Sequence, residues 1–263
     1  MHIANRTFII SGGASGLGLA TVADLHSRGG YIAILDTNTD NGEKAVAELG
    51  AERVRFYECD ITSTESIQAA LDGIAAWIKE TNAHIGALIP AAGVGFPGKL
   101  IDRKNQPIPL ANLDFVLNIN LRGVLDLIRL TLPLMTVSPP TAPDGERGVI
   151  VMVSSSAAFD GQPGQAAYAA SKGAIRSLTL VLARDLAQYG IRAMSIAPSF
   201  FESSMTAAMS DKVRQSLMRV FEFPKRPGYG KDFAGMVRTC VENEMLNGEC
   251  VRLDGATRMP SKM

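Results

Sequence analysis

The chain has 263 residues, 46% of them hydrophobic, enough to bury the core of one domain of ordinary size. Twenty-six basic against 26 acidic residues leave a formal charge of zero, which argues against nucleic acid or an anionic membrane as partner and for a small molecule. The three cysteines (Cys59, Cys240, Cys250) and three histidines (His2, His26, His84) are too scattered for a disulfide framework, a metal-ligand set or a nucleophilic triad.

Short apolar runs alternate with longer stretches of helical period, the pattern of parallel strands joined by crossover helices. Strands are predicted at Thr7–Ser11, Tyr31–Leu35, Val54–Glu58, Ala87–Pro90, Gly148–Val153, Arg192–Ile196 and Glu249–Leu253. Helices are predicted at Gly16–Arg28, Thr39–Leu49, Ser63–Thr81, Asn112–Val137, Ala166–Gln188 and Lys231–Asn243. The expected class is one doubly wound α/β domain spanning the chain. Ser138-Pro-Pro-Thr-Ala-Pro-Asp-Gly145 reads as a surface connector. No apolar stretch approaches the roughly 20 residues of a membrane span, and the residues before Thr7 leave no room for a signal peptide, so a reduced cytoplasmic setting is expected.

The first strand runs into Ser11-Gly12-Gly13-Ala14-Ser15-Gly16-Leu17-Gly18, which opens the first helix. Glycines there permit a tight turn, let backbone approach a pyrophosphate and leave the anion at a helix N-terminus. Asp36 ends the second strand, where a carboxylate can accept hydrogen bonds from adenosine ribose hydroxyls and repel a 2′-phosphate. Its neighbours Ser15 and Thr37 carry no charge to rescue that phosphate, so NAD is expected over NADP. Asp60 after the third strand reads either as an acceptor for the adenine amine or as the cap of the helix near Ser63.

Ser155 follows the fifth strand, and Tyr168 and Lys172 stand one helical turn apart. An ammonium beside a phenol favours the phenolate and lowers its pKa from about 10, and a serine hydroxyl can hold a carbonyl or alcohol oxygen. The chemistry expected is alcohol–ketone interconversion.

With the glycine turn, Asp36, Asp60, Ser155 and Tyr168-x-x-x-Lys172 in this order, the chain resembles the short-chain dehydrogenase/reductases over nearly its whole length. The resemblance implies a single Rossmann-fold domain with a seven-stranded parallel sheet and helices on both faces, and a catalytic set of Ser155, Tyr168, Lys172 and Asn120, the last anchoring a proton-relay water. Asn118, two places earlier, is the decoy for Asn120. Longer stretches resemble the 3-hydroxyacyl-CoA dehydrogenase type 2 group: Ala158-Phe-Asp-Gly-Gln-Pro-Gly-Gln-Ala-Ala-Tyr168, Ala183-Arg-Asp-Leu186 and Arg252-Leu-Asp-Gly-Ala256. Carried over, Gly12, Ser15, Gly16, Leu17, Gly18, Asp36, Asp60, Ile61, Ala91, Gly93, Tyr168, Lys172, Phe201 and Ser203 contact the cofactor. Ser155 and Gln165 face the substrate.

Three departures stand out. Pro90-Ala91-Ala92-Gly93 replaces the family's Asn-x-Ala-Gly, Pro198-Ser199 replaces Pro-Gly, and Ser203 stands where threonine is usual.

The apolar segment from Phe200 to Phe223, with Met205, Met209, Leu217, Met218 and Phe221, suits either a lid over an acyl chain or ring system, or ordinary amphipathic helices. Lys99, Arg103 and Lys104 are either contacts for a CoA phosphate or simply solvated. The expected function is an NAD-dependent 3-hydroxyacyl-CoA dehydrogenase. Its rivals are a ketone reductase or alcohol dehydrogenase of specialised metabolism (polyketide or steroid-like substrates) and a non-catalytic scaffold subunit. Relatives pair long helices across two-fold axes, so a homotetramer is expected, with the apolar face of Ala174 to Leu186 contributing and a dimer as the alternative. The final Ser261-Lys262-Met263 differs from the Ser-Lys-Leu address only in its last residue, making the peroxisomal matrix the alternative to the cytoplasm.

Overall fold

The computed structural model describes residues 1–203 and 217–259. Met205 and Met209 of the expected lid, and the terminal Ser261-Lys262-Met263, lie outside the described residues. Seven parallel strands, β1 (Thr7–Ser11), β2 (Tyr31–Asp36), β3 (Val54–Glu58), β4 (Ile85–Pro90), β5 (Gly148–Val153), β6 (Ile191–Pro198) and β7 (Cys250–Leu253), form one sheet in the order β3-β2-β1-β4-β5-β6-β7. Among the described residues, the helices that return the chain between them are α1 (Gly16–Ser27), α2 (Thr39–Leu49), α3 (Thr64–Thr81), α4 (Leu110–Leu117), α5 (Val124–Thr136), α6 (Ala166–Leu186) and α7 (Gly230–Glu242). Among the described residues no helix is long and apolar enough to cross a membrane.

Side chains alternate across a strand, so one apolar run can feed two cores. Phe8 and Ile10 of β1 enter a core with Val22 and Leu25 of α1 and Phe233 and Val237 of α7. Ile9 points the other way, into a core with Ile67, Leu71 and Trp77 of α3 and Leu127 of α5. This double burial explains why the strands read as continuous hydrophobic runs. Ser63 caps α3 by accepting the Ser66 amide, so Asp60 is not that cap.

One predicted element is divided. The helix expected over Asn112–Val137 is instead α4, a π-helical turn at Asn118–Gly123, and α5. Apolar periodicity continues through the widened turn and so does not reveal it. π-Bulges of this kind concentrate at functional sites. Gly123 lies inside it because a side chain there would meet the Ile61 carbonyl at 2.6 Å.

Candidate active site

All the strands are parallel, so their C-terminal ends share one edge of the sheet, and the order reverses between β1 and β4. The glycine turn opens at that switch point. Gly12 and Gly16 have φ of +65° and +51°, and a Cβ on Gly12 would stand 2.8 Å from the Ala92 backbone. The turn thus leaves no room for side chains where a pyrophosphate would approach the start of α1. Ser15 and Leu17 flank it, and Ser203 comes within 3.4 Å of where a Cβ of Gly16 would lie.

Asp36 reaches back across this turn. Its two carboxylate oxygens accept the amides of Ala14 and Asn38, both at 3.1 Å. Those bonds set it beside the glycines with lone pairs remaining for hydroxyl donors. Asp60 closes an exposed turn by accepting the amide and hydroxyl of Thr62 at 2.8 and 2.7 Å through one oxygen. Ile61 buries its side chain in the core, leaving its backbone as the part that can face a ligand.

The departure at Pro90 has a structural answer. The Ser11 carbonyl accepts the Ala91 amide at 3.1 Å, and the Ser11 hydroxyl accepts the Ala92 amide at 3.3 Å. Ser11 therefore braces the turn that leads to Gly93, a role that sequence inspection missed because a strand-end serine carries no motif. Ser199 is equally well accommodated: its backbone is not left-handed and its hydroxyl lies 3.5 Å from the Asp254 carbonyl.

The catalytic candidates converge beyond β5. Ser155 caps a 3-10 turn, Ser156–Ala158, by accepting the Ala157 amide at 3.1 Å, and it is hydrogen-bonded to Tyr168. Lys172 is buried with its Nζ 5.8 Å from the centre of the Tyr168 ring, donating to the Val153 carbonyl at 2.9 Å. Ser154 steadies it from beneath, donating to the Lys172 carbonyl at 2.8 Å.

Asn120 is fully buried and Asn118 exposed, which separates the residue from its decoy. The Asn120 amide clasps the backbone of Val94, accepting its N–H at 2.8 Å and donating to its carbonyl at 2.9 Å, and reaches Ser171 at 3.3 Å. A Cβ on Gly93 would lie 3.2 Å from the Asn120 oxygen and 3.5 Å from the Lys172 nitrogen, so that glycine lets the two groups share one space.

The electrostatics correct one expectation. Burial raises the pKa of the Tyr168 phenol above its ordinary value, outweighing the opposing Ser155 hydrogen bond. Lys172 does not lower it as expected. Its ammonium is tied to the Val153 carbonyl and stands beside the ring, while its own burial pushes its pKa down to about 8.

Gln165 immediately precedes α6, and its buried Oε1 has no hydrogen-bond partner, an acceptor left over at the site. The Phe201 side chain belongs to the core and packs on Gly228, which leaves its backbone as the part that can face a cofactor. Leu217 and Phe221 of the expected lid pack with Phe200.

The short chain dehydrogenase family model matches residues 6–214. The 3-hydroxyacyl-CoA dehydrogenase type-2 of Drosophila melanogaster is 41% identical, over 98% of this chain and 99% of its own. The human protein of that name is also 41% identical, over 95% and 94%. A solved structure of 3-hydroxyacyl-CoA dehydrogenase type-2 from Mycobacterium avium superposes with a TM-score of 0.89 at 32% identity, over 98% of this chain and 97% of that one. With this site at the switch point of this sheet, the chain belongs to the short-chain dehydrogenase family.

Proposed function

We propose that the chain is an NAD-dependent 3-hydroxyacyl-CoA dehydrogenase, with Ser155, Tyr168, Lys172 and Asn120 as its active centre. The observation that carries the reaction type is the Ser155–Tyr168 hydroxyl pair with a buried Lys172 beside the ring. Identity of 41% across nearly the whole chain to relatives of that name supports the substrate class. The nicotinamide supplies or accepts a hydride when bound.

In the reducing direction Tyr168 would give its proton to the substrate oxygen, held by Ser155, as the carbonyl carbon takes up the hydride that a bound nicotinamide would supply. A phenol kept neutral by burial is the form this step needs. Oxidation runs the same step backwards and needs the phenolate, so it gains as pH rises. The Asn120 amide is committed to Val94 and Ser171, which leaves the backbone of the π-helical turn for a relay water. The orphan Oε1 of Gln165 is the acceptor assigned to the substrate side.

Asp36 supports NAD over NADP, because a 2′-phosphate would meet its carboxylate. Exposed Leu180 and Val181 on α6 support self-association, with the homotetramer as the assembly.

The test is reduction of acetoacetyl-CoA with NADH, NADPH and bulky cyclic ketones as comparisons, repeated in Tyr168→Phe. The proposal expects turnover with NADH and a loss of at least about 100-fold in the variant, the scale of general acid catalysis. Preference for the cyclic ketones moves the substrate to specialised metabolism. Parental rates in Tyr168→Phe overturn the site.

A further inference from the structure

The end of β7 and the residues after it are bolted to the turn that carries Ser155. Arg252 forks onto Asp160, Nη1 to Oδ1 at 3.1 Å and Nη2 to Oδ2 at 2.7 Å. Its Nε donates to Asp254 at 2.5 Å, and Nη2 also reaches the Thr257 carbonyl at 2.9 Å. The guanidinium stands 4.9 Å from the centre of the Phe159 ring, which also receives Arg176 of α6 at 4.3 Å. Phe159 and Asp160 directly follow the 3-10 turn, and their amides donate to the Ser156 carbonyl.

The same cluster reaches the apolar group of Phe200, Leu217 and Phe221. The Met259 amide donates to Asp160 at 3.2 Å, while the Met259 side chain packs with Phe200, Leu217 and Phe221. The Gly255 carbonyl accepts the amides of Glu222 and Phe223. Arg252 and Arg258 pair with Asp160 and Asp254, so each carboxylate has a guanidinium partner.

We infer that Arg252 is a positioning residue for the reaction: through Asp160 and Phe159 it fixes the turn that aims the Ser155 hydroxyl, and through the 254–259 segment it joins that turn to the apolar cluster of Phe200, Leu217 and Phe221. The inference rests on the role of Ser155 proposed above. A bidentate fork restrains a carboxylate in direction as well as distance, whereas a lone ammonium restrains only distance. Among the described residues the hydrogen bonds of Arg252 and Asp160 run to neither the glycine turn nor Asp36, so NADH affinity is expected to stay near the parent's.

Asp160→Asn, Arg252→Met and the double variant test this, with Ser155→Ala as reference, using acetoacetyl-CoA reduction for turnover and fluorescence titration for NADH affinity. Asp160→Asn keeps the side-chain shape and guards against a fold lost in Arg252→Met. Each single variant is expected to lose roughly 10- to 100-fold in kcat, the scale of a misplaced catalytic group, with the NADH Kd within about twofold of the parent. The double variant is expected to be no worse than the poorer single, because both remove one contact. Parental kcat in both single variants, additive losses in the double, or NADH affinity falling in step with kcat overturns the inference while an inactive Ser155→Ala leaves the site assignment standing. Parental turnover in Ser155→Ala overturns the site assignment and the inference with it.

Discussion

Replacing Lys172 with Met should stabilise the fold at neutral pH while abolishing activity. Lys172 is buried and its pKa is pushed from 10.5 to about 8. Below the folded value both states hold the proton and the full penalty of burying the charge is present; the shift corresponds to roughly 3 kcal/mol at 1.36 kcal/mol per unit. Between about 8 and 10.5 the unfolded chain binds a proton that the folded chain does not, so wild-type stability rises with pH across that window. Methionine removes the penalty but leaves the Val153 carbonyl without its donor, at a cost of about 1–2 kcal/mol. The net gain at pH 7 is therefore about 1–2 kcal/mol, or a Tm rise of roughly 2–8 °C for a chain of this size. At pH 9.5 about 2 kcal/mol of the penalty has gone, and the advantage of the variant should vanish. Urea unfolding of both proteins at pH 7 and 9.5 measures this. A variant less stable than the parent by more than about 1 kcal/mol at pH 7, or a gap that does not move with pH, would refute the account of Lys172 as a charge held against its desolvation.

Asp36→Ala should relax the preference for NADH over NADPH by lowering discrimination in kcat/KM, and equal use of both cofactors by the parent would contradict the role given to the carboxylate. Arg192 neutralises buried Glu146 at 2.7 Å and caps the carbonyls of Cys240, Val241 and Leu246, so Arg192→Met should cost about 3–5 kcal/mol in urea unfolding. A loss below about 1 kcal/mol would show that the remaining groups satisfy Glu146 without it. Gly123→Ala brings a methyl to within 2.6 Å of the Ile61 carbonyl and should cost about 1–3 kcal/mol as the π-helical turn shifts, with a parallel loss of turnover; unchanged values for both would refute the close packing. Oxidation of 3-hydroxybutyryl-CoA should accelerate as pH rises from 7, because burial keeps the phenol protonated; an oxidation rate that falls over that range would refute a neutral Tyr168.

Much of this protein was legible as sequence because its rules are local. Strand runs, helical periods and the glycine turn each depend on neighbours a few residues apart, and parallel strands place all their C-terminal ends on one edge, which brings Gly12, Asp36 and Ser155 to that edge. The expected runs at β1 and β3 match the strands residue for residue. What tertiary structure alone decided was set by contacts between distant residues. The π-helical turn leaves apolar periodicity intact, and the clasp of Asn120 on Val94 joins residues 26 apart. The fork of Arg252 on Asp160 spans 92 residues, a separation over which spacing carries no signal. The direction of the Tyr168 shift was decided in the same way. The i, i+4 pair implies an ammonium near a phenol, but only the packed site shows how deeply each is buried and that Lys172 donates to Val153 rather than to the phenol oxygen. Helical spacing sets which side chains share a face, whereas burial, which sets the energy of a charge, depends on everything packed around it.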